Sequence, residues 1–526
     1  MHENRETSEL SARESGADRP EKAKSRTTGM NGTEESDCAI VPMNQPNKGE
    51  PPRGGLNAEA GEGEARTEEN ISQTHTNPTQ RGKRGVSQGL AGVRQASRAR
   101  KVERFTALLH HMTPELLRSS FYALKREAAA GVDGVRWAEY ETGLEGRLAD
   151  LHGRVHRGAY RAQPSRRVYI PKADGRQRPL GIAALEDKIV QQAVVRILNE
   201  IYENDFLGFS YGFRPGRSQH RALDALTVGI TRKRVNWILD LDIRGFFDNM
   251  SHDWTVKFVG HRVGDSRILR LIQKWLKAGV SEEGEWSASK VGTPQGAVVS
   301  PLLANIYLHY ALDLWVEAWR RKVARGDMIV VRYADDVVLG FERRDEAERF
   351  LREARERLAK FGLELHPEKT RLIEFGRYAA SNRTKRGTGK PETFDFLGFT
   401  HICGKNGKTG YFEVRRKTVR KRMRAKLQAL KAELRRRMHA PIAATGEWLQ
   451  SVVRGYYQYH AIPGNIDSLG VFRERLLRLW RHVLRRRSQQ RRPNWACLGR
   501  HFTRWLPHPR ILHPFPHVRF DATHPR

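Results

Sequence analysis

The sequence predicts an α+β domain followed by a basic α-helical extension. Three observations carry this. Helical and strand patterns alternate with short polar breaks from residue 105 to about 400. Two strand patterns inside that span each bear clustered aspartates, and beyond it the pattern turns helical and cationic. A length of 526 residues allows two to four domains.

Residues 1–80 are rich in Gly, Ser, Thr, Asn, Glu and Pro and poor in aromatics. Such a segment buries too little apolar surface to offset its ordering entropy, so disorder is expected. Residues 81–104 turn basic (RGKRGVSQGLAGVRQASRARKVER), which reads as a solvated linker or as an arm against RNA backbone; the sequence does not separate the two.

The formal net charge is +34, from 94 Lys+Arg against 60 Asp+Glu. Counterion release from a phosphate backbone is the usual reason to carry such an excess, although a ribosome-associated factor would share it. Cys38, Cys403 and Cys497 form no CxxC pair, which supports neither a disulfide framework nor a cysteine zinc site and fits a reducing, intracellular setting. No apolar run approaches the ~18 residues of a spanning helix, so no membrane partner is expected. Glu3, Glu6, Glu9, Glu14 and Asp18, with no apolar run beside them, argue against a targeting peptide and for the cytoplasm.

The strongest chemical signal lies in two segments. In Trp237-Ile238-Leu239-Asp240-Leu241-Asp242-Ile243 the alternation of a strand puts Trp237, Leu239, Leu241 and Ile243 on a buried face, with Asp240 and Asp242 on the other. In MIVVRYADDVVLGF (328–341) two β-branched runs flank Tyr333-Ala334-Asp335-Asp336, a hairpin with both carboxylates at its tip. An isolated Asp-Asp is usually a solvated turn. Its combination with the strand-borne Asp242 points instead to two-metal phosphoryl transfer. There, ions roughly 3.5–4 Å apart need hard oxygen ligands. Asp242, Asp335 and Asp336 are the candidate catalytic residues and metal ligands, for two Mg²⁺ ions.

Further on, Val419, Met423, Leu427, Leu430, Leu434 and Met438 form one apolar helix stripe. Twelve Lys/Arg against the single acidic Glu433 between Val414 and Ala440 favour a phosphate-facing surface for the remainder.

With these residues in view, the chain resembles the reverse transcriptase/maturase proteins encoded by bacterial group II introns, over most of residues 105–510. The blocks stand in family order: AGVDGV (130–135), YIPKADGRQRPLGI (169–182), SYGFRPGRS (210–218), DIRGFFDN (242–249), GTPQGAVVSPLLANIYL (292–308), YADD (333–336), GLELHPEKT (362–370) and FDFLGF (394–399). The resemblance implies a right-hand polymerase. Fingers and palm with an antiparallel sheet would occupy 105–400, and a helical thumb/maturase domain 401–490. A short tail, 491–526, would follow without an endonuclease domain, since Cys497, His501, His508, His513 and His517 show no ligand pairs at zinc spacing.

By the same resemblance Lys172 and Arg178 meet the incoming deoxynucleoside triphosphate, Phe247 crowds the ribose 2′-carbon, Gln295 lines the nucleotide pocket and Lys369 lies nearby. Arg214 of SYGFRPGRS is a template-backbone contact. Arg420, Arg424, Arg454 and Tyr456 are candidates to touch RNA, although tyrosines at such spacing are more often packing residues. The implied partners are group II intron RNA, an RNA template with a DNA primer, and target DNA. A free-standing reverse transcriptase of the defence or retron type is the alternative. The basic extension argues against it, and the retained Asp242 and Asp335 argue against a maturase that only binds RNA.

Overall fold

The computed structural model describes residues 80–171, 177–282, 284–287, 291–487, 499 and 502–524. The expectation for residues 1–79 and the candidate Lys172 therefore lie outside the described residues. In chain order the described strands are β1 (Ser165–Pro171), β2 (Gln177–Ile182), β3 (Trp237–Asp242), β4 (Val280–Glu282), β5 (Glu285–Ser287), β6 (Met328–Tyr333), β7 (Asp336–Phe341), β8 (Arg371–Glu374), β9 (Phe394–Phe396), β10 (Phe399–Lys405) and β11 (Phe412–Thr418). They form three sheets, ordered β2-β1-β4-β5, β6-β7-β3-β8 and β11-β10-β9.

The central sheet β6-β7-β3-β8 is antiparallel throughout. Both of its faces are covered. Leu239, Leu241, Val330, Val337 and Leu339 enter a large core shared with the Leu185–Asp205 and Ser300–Leu308 helices. Ile238, Val331, Val338 and Ile373 meet Leu223, Leu226 and Ile230 of the Gln219–Arg232 helix on the opposite side. This double coverage explains why β7 reads as a near-continuous apolar run. Period-two alternation then places Asp240 and Asp242 on the Ile238 side, where β3 ends.

Three parts differ from the sequence expectation. Residues 81–104 are not a linker but helix as far as Ala99, docked on the Leu185–Asp205 helix. Val93 is buried there, the Ser97 hydroxyl donates to Ile201 O at 3.1 Å, and Arg94 pairs with Glu200 at 2.5 Å. Residues 401–418, expected as the start of a helical domain, complete the β10–β11 hairpin. Arg416 faces inward in that hairpin, 2% exposed and 3.0 Å from Asp224, so a cationic residue occupies an interior strand position.

The third difference is at the C-terminal end, which is not a simple tail. Trp505 packs on Gly446, where an added Cβ would lie 2.3 Å from the indole, and Phe502 and Leu506 join the same core. The Pro516–Thr523 helix returns to the Gln219–Arg232 helix, held by Arg519 to the buried Asp224 at 2.5 Å and by Arg232 to Asp521 at 2.7 Å.

Between these parts stand the helices Arg420–Arg436, Ile442–His460 and Ile466–Arg485. Met423, Leu427, Leu430 and Leu434 are buried together with Leu449, Val453, Phe472, Leu476 and Trp480, so the apolar stripe is the inner face of the first helix. Among the described residues no helix is long and apolar enough to cross a membrane.

Candidate active site

Strands β6 and β7 close on the pair Tyr333–Asp336, leaving Ala334 and Asp335 as a two-residue turn. Ala334 takes a left-handed φ of +56°, uncommon for a residue with a Cβ. Arg332 holds the turn in that shape. Fully buried, it donates through Nη1 to Ala334 O at 2.8 Å and to Asn305 Oδ1 at 3.0 Å. Its Nε and Nη2 grip Asp313 at 2.7 and 2.6 Å, and Nη2 also reaches the Ser210 hydroxyl at 2.7 Å. All five guanidinium donors are thus satisfied.

The chain from Phe209 to Gly212 lies against the same turn. Arg332 N donates to Phe209 O at 2.9 Å, Tyr211 N to Arg332 O at 2.8 Å, and Asn305 Nδ2 to Gly212 O at 2.7 Å. A Cβ on Gly212 would sit 2.2 Å from Ala334 N, so only glycine permits this approach. Sequence reasoning passed over Arg332, Asp313 and Asn305. Their one signal was an arginine directly before the tyrosine of the turn.

Across the sheet, Asp242 of β3 stands in register with Asp336 of β7. The segment 366–370 is stitched to the end of β3. His366 N donates to Asp242 O at 2.7 Å, and Lys369 Nζ lies 2.7 Å from Asp242 Oδ2. Asp335 and Asp336 both have carboxyls pushed above the usual range, first by local desolvation and then by neighbouring negative charge. For Asp335 that charge is Asp242, and Arg178 and Arg332 oppose the rise. For Asp336 it is Asp335, Asp240 and Asp242, opposed by Arg422. Burial and Asp242 likewise push Asp240 up to about 7.

Crowded carboxylates of this kind, with Asp335, Asp336 and Asp240 all raised, are what a divalent cation would relieve. Among the described residues, however, no three acidic, His or Cys side chains converge into a ready-made metal cage. A divalent ion of a phosphoryl-transfer site can be held by one or two carboxylates together with substrate phosphates rather than by an all-protein cage. The residues present therefore fit a divalent cation, and the Lys369 ammonium pairs with Asp242 beside them.

Residues 170–401 match the family described as reverse transcriptase (RNA-dependent DNA polymerase). The chain carries a reverse transcriptase domain. Protein YkfC of Escherichia coli (strain K12) is 38% identical over 239 residues, 40% of this chain and 62% of that protein. The group II intron-encoded protein LtrA of Lactococcus lactis subsp. cremoris is 36% identical over 225 residues, 42% of this chain and 37% of that protein. An uncharacterized 91 kDa protein in the cob intron of Schizosaccharomyces pombe is 44% identical over 154 residues, 29% of this chain and 19% of that protein. The chain thus spans less than two thirds of the length of each of these relatives.

Within the reverse transcriptase domain, the segments that carry Phe247 and Gln295 are hydrogen-bonded to each other. Phe246 is buried in the core, while Phe247 is half-buried on the Phe246–Asn249 turn of helix, and its carbonyl accepts from Thr293 N at 2.9 Å. Gln295 Nε2 donates to Asp248 Oδ1 at 3.4 Å, and its carbonyl accepts from Gly181 N of β2 at 2.7 Å. Arg178, opposite Ile170 on β2, lies within electrostatic reach of Asp335.

Two candidates are placed elsewhere. Arg214 is not a template contact: 6% exposed, it pairs with Glu203 at 3.0 Å and donates to the carbonyls of Leu207 and Ser210. Tyr456 is core, its ring stacked on Phe472 at 3.8 Å and 12°. Its helical spacing from Leu449 and Val453 had the signature of packing. Arg420, Arg424 and Arg454 are exposed on their helices. Arg422, which the sequence reading did not single out, is the arginine of that helix whose charge reaches Asp336.

Proposed function

We propose that the chain is an RNA-directed DNA polymerase encoded by a group II intron, which copies intron RNA into DNA and binds that RNA to assist its splicing and mobility. The observation that carries this is Asp242 facing Asp336 across β3–β7, with Asp335 on a turn locked from beneath, inside the reverse transcriptase domain. The first sheet serves as fingers, the central sheet as palm, and the helices from Arg420 onward as thumb and RNA-binding domain.

Two bound Mg²⁺ ions would lower the pKa of the primer 3′-hydroxyl and neutralise the incoming triphosphate. Asp242, Asp335 and Asp336 would hold them. Arg178, with Lys172 of the same block, directs positive charge at the triphosphate. Lys369, which pairs with Asp242, would yield that carboxylate to a bound ion. Phe247 closes the space beside the ribose 2′-carbon, and Gln295, anchored by Asp248 and Gly181, supports the base. Template RNA, DNA primer, deoxynucleotides and target DNA are the corresponding partners, handled in the cytoplasm of a bacterial cell.

Phe247→Ala is expected to raise GTP incorporation relative to dGTP by roughly ten- to a hundredfold, the scale of losing a steric contact worth about 1–3 kcal/mol. Unchanged discrimination in single-nucleotide extension would remove Phe247 from the gate.

The separate helical core around Leu427, Leu449, Phe472 and Trp480 favours the intron-encoded reading over a free-standing reverse transcriptase. Sequencing the RNA that co-purifies with the protein from its own host tests this. Enrichment of an intron containing the protein's reading frame is expected. Recovery of a short unrelated RNA would transfer the reading to the free-standing type.

A further inference from the structure

At the end of the central sheet away from the aspartates lies an open cleft of about 610 Å³, within the size range of small-ligand sites. Trp237, at the start of β3 and in register with Glu374 of β8, forms part of it. Asp242 is five residues further along β3, roughly 17 Å away at strand rise. The cleft is therefore on the sheet that carries the chemistry but separate from it, and nothing described above uses it.

Its lining joins aromatic and cationic groups. Tyr378 lines it and is 56% exposed, and no other aromatic ring stacks on it among the described residues. Arg386 is pinned by an ion pair to Glu374, a buried carboxylate that also accepts from Asn382 Nδ2 at 3.1 Å. This network fixes the wall of the cleft and neutralises Arg386. Lys385 also lines it, and its ammonium has no ion pair among the described residues. Arg344 lies over the Trp237 ring at 5.2 Å from the ring centroid. Across residues 376–392 there are five Lys/Arg against one acidic residue, so the rim is net positive even after Glu392 pairs with Arg383.

An exposed ring and an ammonium without an ion pair lining one cleft are the chemistry that holds a single-stranded nucleotide: the base stacks and the phosphate meets the cation. An acidic peptide would satisfy Lys385 but leave the Tyr378 ring unstacked. We propose that this cleft binds an unpaired nucleotide of a folded RNA, with the base on Tyr378 and a phosphate on Lys385. A nucleotide held there is too far from Asp335 to be the one copied. The site would grip RNA while another segment is read. This deepens the proposed RNA-binding role and rests on that reading only for the presence of RNA.

The test uses the full chain, its active site saturated with an RNA template–DNA primer duplex. A mixed-sequence 12-nucleotide single-stranded RNA containing 4-thiouridine is the probe. Ultraviolet crosslinking is expected to label the tryptic peptide Tyr378–Arg383. Tyr378→Ala is expected to weaken probe binding about five- to a hundredfold, on the scale of one lost base–aromatic stack. Lys385→Glu is expected to weaken it further and to make it less salt-dependent.

Primer extension by both variants should remain at the wild-type level, because neither residue touches the nucleotide site. Tyr378 and Lys385 are exposed, so an unchanged melting temperature is also expected. Absence of the crosslink together with unchanged probe affinity in Tyr378→Ala would overturn the proposal. So would displacement of the probe from this peptide by poly-glutamate but not by excess unlabelled RNA. Failure of the polymerase reading would show separately, as wild-type protein that extends no primer yet still crosslinks at Tyr378.

Discussion

Asp335→Asn is expected to abolish RNA-templated primer extension, with a loss of about a thousandfold or more, while RNA binding stays near wild type. The size follows from the chemistry. Metal-assisted charge stabilisation contributes several kcal/mol to a phosphoryl-transfer transition state, and each 1.4 kcal/mol is roughly a tenfold change in rate. Asparagine keeps the shape of the turn but removes the anionic ligand. It also removes one of the charges that raise Asp336, so the fold should be retained or slightly stabilised. Extension assays with a matched filter-binding series check both halves. Near-wild-type synthesis would remove Asp335 from the metal site.

Arg332→Met is the second large effect, and it acts on both stability and turnover. The substitution strands the carboxylate of Asp313, 1% exposed, which Arg332 grips through two hydrogen bonds. Breaking a buried pair from one side costs about 3–5 kcal/mol. It also frees Ala334 O, which loses the donor that helps hold its peptide at positive φ. A melting temperature lowered by several degrees is therefore expected, along with a fall in kcat that exceeds any change in KM for nucleotide.

Ser210→Ala separates the two effects. It removes one of the five guanidinium hydrogen bonds without stranding a charge, so a kcat loss in a protein of nearly normal stability is expected. Equal losses in kcat and thermal stability across Arg332→Met and Ser210→Ala would reduce the network to a purely structural one.

The aspartate-bearing strands were legible because local rules dictate them. Alternation fixes which side of β3 carries Asp240 and Asp242, and β-branched flanks with a short polar centre fix the β6–β7 hairpin. The stripe from Met423 to Leu434 was legible for the same reason, at helical period.

What escaped was non-local. Ser210, Asn305, Asp313 and Arg332 are dispersed along the chain and share no pattern, and only the fold brings them to one guanidinium. Arg214 looked like a phosphate contact because charge in a sequence carries no record of its partner, here Glu203. Residues 412–418 read as part of a cationic helical region because Arg416, an inward strand position, is charged, its burial made possible by Asp224. The C-terminal helix on Gln219–Arg232 was hidden by the prolines before it and by the distance of Asp224 and Arg232 from Arg519 and Asp521.

The measurement that bears most directly on the central claim is primer extension by the purified full chain on an RNA template with a DNA primer, deoxynucleotides and Mg²⁺. A DNA product reaching the template end is expected, absent from Asp335→Asn and absent without a divalent ion. No product from the wild-type protein, or product made only from ribonucleotides, would contradict it.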